Sequence, residues 1–314
     1  MKQLIFLTFT FCFAHGFSQK PPKTKHSAAK GTVFAYWGYN RTFYTKSDIN
    51  FVGPGYSFRM KESRAHDNQT PFSFKSYFSL TKLSVPQFNA SIGYNFKNHW
   101  AVSFNYDHFK YIFADQNQVL LSGNITPGVD DVTGWSGVYN QTPITTDRNT
   151  FHYENSNGLN YIRVQFSRID HLLRFGMNRW FVLSSTVGAG AGTILSITDF
   201  DFAGKKDEQI PSLSGVGIST HAGLRFEFFE HFFIQPNISA GFMYQSRART
   251  RLGDIGAYAT HHFGYLEANI TFGGIFYIRP VNGCDQCPQW GKINYGKKKT
   301  LNGTKDLKKS FLFG

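Results

Sequence analysis

Residues 216–244 read VGISTHAGLRFEFFEHFFIQPNISAGFMY, two runs of alternating apolar and polar residues around a short break. In the first run Val216, Ile218, Ala222, Leu224, Phe226 and Phe228 recur at every second position, interrupted only by Thr220. Gly217, Ser219, His221, Gly223, Arg225 and Glu227 lie between them. In the second, Phe232, Ile234, Ile238, Ala240, Phe242 and Tyr244 alternate with Gln235, Asn237, Ser239 and Gly241. Side chains of a strand point to opposite faces in turn, so each run has one apolar and one polar face. Each run is about 13 residues long, against about 5–6 for a globular strand and about 9–11 for a strand crossing a bilayer. The pair predicts a transmembrane hairpin with lipid on one side and a polar lumen on the other.

The same alternation recurs along the chain. It runs through Gly31–Tyr44, Phe88–Lys97, Trp100–Tyr106, Gly158–Ile169, Trp180–Ala191 and Phe263–Ile278, which with the opening pair makes eight segments. Short connections at 97–99, 170–179 and 229–231 alternate with long ones at 45–87, 114–157, 192–215 and 245–262. Outer-membrane barrels show this rhythm, with an even strand number, short periplasmic turns and long extracellular loops. Phe96, Trp100, Trp180, Phe181, Phe228, Phe229, Phe232 and Phe233 flank the short turns; Tyr44, Tyr106, Tyr111, Tyr161 and Tyr244 lie towards the long loops. The fold class is therefore all-β: a closed antiparallel up-and-down barrel of eight strands, or ten if Gly55–Met60 and Phe72–Leu80 also span. Arg59, Lys61 and Lys75 interrupt those two segments and favour a hairpin rising above the membrane. Pro236 removes one ladder hydrogen bond in a sheet without edges, which predicts a local bulge.

Composition agrees with export. Aromatics make 18% of the 314 residues, and mean hydropathy is −0.31, too low for a helical membrane protein but not for strands with one wet face. Residues 1–18 have the basic start, apolar Leu4–Phe13 core and small Gly16 and Ser18 of a signal peptide. Residues 19–30 form a basic linker, 31–278 the barrel and 279–314 a basic tail. The span 31–278 holds 20 Lys+Arg against 18 Asp+Glu, so most of the net +13 sits on the termini, which the barrel reading places in the periplasm. Lys297, Lys298, Lys299, Lys308 and Lys309 are the densest points. They read as a solvated tail or as a dock for an anionic periplasmic protein or headgroup; export argues against nucleic acid. Cys284 and Cys287 read as a tight disulfide or free thiols rather than a redox or zinc site, because no thioredoxin-like unit or second ligand pair accompanies them.

Asp107, Arg163, Ser219, His221, Arg225, Glu227, Gln235, Asn237 and Glu267 are expected to face the lumen. An eight-stranded barrel is just wide enough to be filled by side chains, so a structural polar network is the first reading and a solute path the second. His261-His262 is a poor metal pair, since adjacent strand residues point apart. No cofactor or metal is expected. Loops 45–87 and 114–157, with Trp135 and Tyr139, read as solvated surface or as the place of extracellular ligand binding.

In its signal peptide, eight alternating segments, aromatic belts and loop rhythm the chain resembles the small eight-stranded outer-membrane barrel proteins of Gram-negative bacteria. The resemblance covers residues 31–278 and rests on architecture. It implies outer-membrane lipids as neighbours and one of several roles: anchor, adhesin, narrow solute pore or lipid-modifying enzyme. Some such barrels deacylate lipid A with a Ser/His/Glu set on the lipid-facing wall. Ser219 and His221 share a face here, but Glu227 lies about 20 Å further along the strand, at about 3.3 Å per residue, and that face points inward. A non-catalytic structural or interaction role is the reading adopted.

Overall fold

The computed structural model describes residues 27–68, 70–71, 86–175 and 180–278. The described residues form thirteen strands: β1 (Thr32–Tyr44), β2 (Ser47–Gly53), β3 (Tyr56–Ser63), β4 (Ala65–His66), β5 (Phe88–Lys97), β6 (Trp100–Phe113), β7 (Gln118–Ile125), β8 (Gly137–Thr145), β9 (His152–Phe175), β10 (Phe181–Phe202), β11 (Lys205–Phe228), β12 (Phe232–Arg249) and β13 (Tyr258–Tyr277). Eight of them, β1-β5-β6-β9-β10-β11-β12-β13, are hydrogen-bonded in that order, and β13 pairs back to β1 from Thr32↔Tyr277 to Tyr44↔Tyr265. This is an antiparallel ring of eight strands, and it leaves no sheet edge within the ring.

Parity explains which face each residue takes. On β11 Val216, Ile218 and Leu224 point out and are exposed, whereas Ser219, Arg225 and Glu227 are buried inside. Outward Ile92, Phe104, Val164, Phe166, Ile238, Phe242, Leu266 and Phe272 continue the apolar belt around the ring. A sheet that exposes its apolar face and buries its polar one is turned inside out relative to a soluble protein, as a barrel in lipid requires.

The long connections are mostly not loops. β10 and β11, at 22 and 24 residues, run about 75 Å along the strand, far more than an apolar band about 25 Å tall needs. Their upper halves occupy 192–215 and meet in a two-residue turn at Ala203 and Gly204, both with positive φ, the geometry that suits the twist of a hairpin. In 45–87 the hairpin is β2–β3, pairing Gly53 with Tyr56, rather than 55–60 with 72–80; Phe72–Leu80 lies outside the described residues. β2 also continues the β1 edge by pairing with β13. In 114–157, β7 and β8 extend that sheet as β2-β3-β7-β8, where a solvated loop was expected.

Above the belt this outer sheet and the tall β9–β12 hairpins enclose an aromatic core. Phe51, Phe109, Tyr111, Phe151, Tyr153, Phe200 and Phe202 are all fully buried there. Phe51 sits at its centre, ring centroids 5.3–5.4 Å from Phe58, Phe151, Tyr153 and Phe200. Tyr111 and Tyr161 therefore belong to this interior rather than to a membrane belt, because their parity turns them inward. Phe233 likewise points into the lumen and not at the rim. Pro236 makes no bulge: pairing with β11 is interrupted between Gly223↔Asn237 and Phe226↔Ile234 and resumes in the same register. A gap of two residue pairs, Leu224/Pro236 and Arg225/Gln235, accommodates the missing N–H without an inserted residue.

At the opposite end Ser27–Gly31 is laced across the barrel mouth. The Ser27 carbonyl accepts from Asn95 Nδ2 at 2.8 Å, the Ala28 carbonyl from the His99 amide at 2.8 Å, and the Gly31 amide donates to Asn95.

Candidate functional site: the barrel interior

Inside the ring one hydrogen-bonded chain crosses from wall to wall. Arg163 on β9 forms an ion pair with Asp107 on β6, both buried. Asn89 Nδ2 on β5 donates to Asp107 Oδ1 and to Glu267 Oε1 on β13, each at 2.7 Å. Asn269 donates to the same Glu267 oxygen at 2.8 Å and accepts from Asn237 at 2.9 Å. Gln235 joins Asn237 at 2.8 Å to Arg225, whose Nε donates to Gln235 Oε1 at 2.6 Å. The Arg225 guanidinium also lies over Phe34 and Phe233, 4.9 and 4.3 Å from their centroids. A guanidinium is weakly hydrated and stacks on aromatic faces, so this charge tolerates burial that an ammonium would resist.

Towards the turn end Glu227 forms a cluster of its own. Its two oxygens accept from Ser27 Oγ at 2.5 Å and Ser184 Oγ at 3.0 Å. It thereby ties the chain's first described residue to β10 and β11. His221 takes no part in an ion pair with it: its ring lies against Gly188, and its Nδ1 has no hydrogen-bond partner among the described residues. Ser219 sits two positions above, facing the Tyr161 and Tyr265 hydroxyls. Ser219, His221 and Glu227 are thus on one lumen wall but are not assembled as nucleophile, base and orienting acid.

The space left is small. The cavity bounded by Arg163, His221, Arg225, Gln235 and their neighbours has a volume of about 20 Å³, enough for a single water. Gly188, Gly190 and Gly192 on β10 make this packing possible. A Cβ on Gly192 would lie 2.0 Å from the Ile162 carbonyl and 2.5 Å from Arg163 Cα, and one on Gly188 2.5 Å from the His221 ring.

Above the membrane band a second polar cluster faces outward on the tips of β9 and β10. His152 Nε2 and Ser156 Oγ hold Glu154, at 2.6 and 2.5 Å, with Arg148 at 3.4 Å. Burial disfavours the Glu154 charge, but these donors outweigh it and keep the carboxyl below its ordinary range. Its cross-strand neighbour Asp199 is pushed up, by burial first and then by the Glu154 and Glu208 carboxylates. No group of three or more His, Cys, Asp or Glu among the described residues is placed to hold a metal ion. His261 and His262 point apart: His261 is buried against Gln245, and His262 lies outside beside Phe242. Cys284, Cys287, Lys297–Lys299, Lys308 and Lys309 lie outside the described residues.

Sequence parity identifies inward positions but not partners. Asn89, Gln165, Thr186 and Asn269 stand on the polar faces of the same runs, so their place in the network was available from alternation. Ser184 shares the inward parity of Thr186 and was placed equally well, but Ser27 gave no such signal, because its role depends on what the turn end brings together.

No protein-family model matches the chain, and no curated protein matches it. Solved structures with a similar fold include the attachment invasion locus protein Ail of Yersinia pestis in complex with a heparin analogue. It is 14% identical, with a TM-score of 0.29, covering 79% of this chain and 99% of that one. The outer membrane protein OprG of Pseudomonas aeruginosa is 13% identical, with a TM-score of 0.36, covering 81% and 100%. The N-terminal β-barrel domain of Pseudomonas aeruginosa OprF is 11% identical, with a TM-score of 0.29, covering 79% and 98%. These are small outer-membrane β-barrels of Gram-negative bacteria.

Proposed function

We propose that the chain is a non-catalytic outer-membrane barrel that anchors a rigid surface platform, with its tall hairpins outside the cell and its turns and termini in the periplasm. The observation that carries this reading is the filled interior. A side-chain network around a water-sized cavity occupies the membrane band, and an aromatic core packs above it. Filling at both levels among the described residues weighs against the narrow pore. The unassembled Ser219, His221 and Glu227 weigh against a lipid A hydrolase. What remains exposed is the outer sheet, packed on its inner face and free on its outer one; on the edge strand β8, Val138 is 83% exposed. Recognition of an extracellular ligand by the free face of this sheet is the role proposed; Trp135 and Tyr139 pack against the aromatic core and support the sheet from within. Docking of an envelope protein through the basic residues 279–314 is the second half of the proposal, since they carry eight Lys+Arg against two Asp+Glu.

The test has two arms. Planar-bilayer recording of the purified protein is expected to show no stepwise conductance; steady single-channel steps would sink the closed-barrel reading. Pull-downs with and without residues 279–314 test the dock, and recovery of the same envelope proteins without the tail would remove it. An altered lipid A mass profile on deletion would restore the enzyme.

A further inference from the structure

The outer wall of the barrel is not evenly covered. Along β10 the sequence Gly188-Ala189-Gly190-Ala191-Gly192 places glycine inside and alanine outside. With Thr220 and Ala240 on the next two strands the alanines floor a groove of about 740 Å³, walled by Val164 and Phe166 on one side and Phe242 on the other. The Thr220 hydroxyl donates to the Ala240 carbonyl, so the floor offers methyl groups.

The level of the groove in the membrane follows from β12. Phe232 to Tyr244 covers about 40 Å of strand, or about 30 Å in height at a tilt near 40°, which matches the hydrocarbon thickness. Ala240 and Phe242 then lie in the leaflet next to the tall hairpins. Continuing up the same strand, Arg247 is three positions beyond Tyr244, about 10 Å further on, in the headgroup layer. Arg247 stacks over Tyr258 at 5.0 Å and donates to the Ile255 carbonyl. Arg249 follows, and its Nε has no hydrogen-bond partner among the described residues. Among those residues neither arginine has a carboxylate within ion-pair distance, unlike Arg41, Arg148, Arg163, Arg168 and Arg251.

We infer that this wall is a binding site for a phosphorylated, multiply acylated glycolipid of the lipid A type. Its short acyl chains fill the groove between Phe166 and Phe242, and a headgroup phosphate meets Arg247 and Arg249. The groove is open and apolar along its length, lined by Val164, Phe166, Ala189, Ala191, Ala240 and Phe242, which suits acyl chains laid along the wall. The inference rests on the orientation proposed above, because only then does the leaflet beside the tall hairpins carry lipid A.

The experiment is native mass spectrometry of the full chain in mild detergent, using three probes: bisphosphorylated hexa-acyl lipid A, its monophosphoryl form and dioleoyl phosphatidylglycerol. The wild type retains the bisphosphorylated lipid preferentially. Replacing Arg247→Ser and Arg249→Ser weakens retention about fivefold each, the scale of one cationic side chain at an anionic surface. Ala191→Phe with Ala240→Phe fills the groove from its exposed lipid side, beside Val164 and Ile218, and abolishes retention while the barrel still shows its heat-dependent gel shift. Unchanged retention in either variant, or equal retention of phosphatidylglycerol, overturns the inference; so does Thr220→Cys cross-linking that reveals a second copy seated on the groove. Orientation is read separately by labelling Gly253→Cys on intact cells with an impermeant maleimide. Absence of label refutes the orientation, whatever the lipid result.

Discussion

Among the described residues, replacing Arg163 with methionine removes the only cation paired with Asp107 and leaves that carboxylate 2% exposed with Asn89 as its remaining hydrogen-bond donor. Removing one member of a buried pair costs about 3–5 kcal/mol, because the desolvated partner is left uncompensated. The hydrogen bond from Arg163 Nε to Gln165 and the stacking of Arg163 over Tyr161 at 5.2 Å are lost as well, adding about 1 kcal/mol each. Asp107→Leu is expected to be similarly severe, since it strands Arg163. The double variant Arg163→Met/Asp107→Leu fills the same volume with no charge, and such replacements are near neutral or stabilising by about 1–4 kcal/mol. The cycle therefore carries a coupling of at least about 3 kcal/mol, more than a hundredfold in the folding equilibrium. It is measured by urea titration of the barrel in short-chain lipid vesicles, following tryptophan fluorescence. If the single costs simply add in the double variant, within about 0.5 kcal/mol, the pair is not the linchpin of the lumen and the reasoning fails.

Phe51→Ala should loosen the aromatic core by about 3–5 kcal/mol, seen as protease cutting within 45–66 while the membrane band keeps its gel shift. Gly192→Val should prevent assembly into vesicles, because its Cβ meets the Ile162 carbonyl at 2.0 Å, whereas Gly134→Ala, with nothing within 4 Å and φ of +75°, should cost only about 1–2 kcal/mol. Asp199 has a raised carboxyl, so what its neutral form contributes is present at low pH and lost as pH rises through the raised value. Asp199→Asn should therefore slow amide exchange at the β9–β10 tip at neutral pH, with the difference closing in acid. Glu154→Gln should do the reverse: the lowered Glu154 carboxyl stabilises above its ordinary value and loses that effect as pH falls through the lowered one. Identical exchange in both variants at neutral pH would contradict the assigned shifts.

The ring was legible because each membrane strand carries its address in its parity. Val216 to Phe228 and Phe232 to Tyr244 are exposed and buried in the alternation their side chains dictate. Strand length was not legible. Alternation is a signature of a wall between lipid and water, and above the lipid the contrast inverts: Phe200 and Phe202 are buried there while Asp199 and Asp201 face out. That segment alternates as a soluble strand does, and its interruption by Thr198 and Gly204 disguises it as a loop. β7 and β8 were hidden for a related reason, since Asn140, Gln141 and Thr142 lie on an edge with little buried face. The lumen residues were placed by parity, but their connectivity was not, because Asn89 reaches Glu267 across 178 residues. Such contacts are set by ring closure, which no local pattern encodes.

That closure has a consequence for biogenesis. The seam joins β1 to β13, with Thr32 opposite Tyr277, so the two edges that must meet are the first and last ring strands to be synthesised. Until β13 arrives, β1 presents an unsatisfied row of amides and carbonyls. The Ser27 strap can be seated only once β11 is in place, since its hydroxyl reaches Glu227 on β11 while its carbonyl is held by Asn95 on β5. The strap is thus a latch that needs both β5 and β11, and Glu227, buried beneath it, would be open to water in every species in which that seat is not yet made.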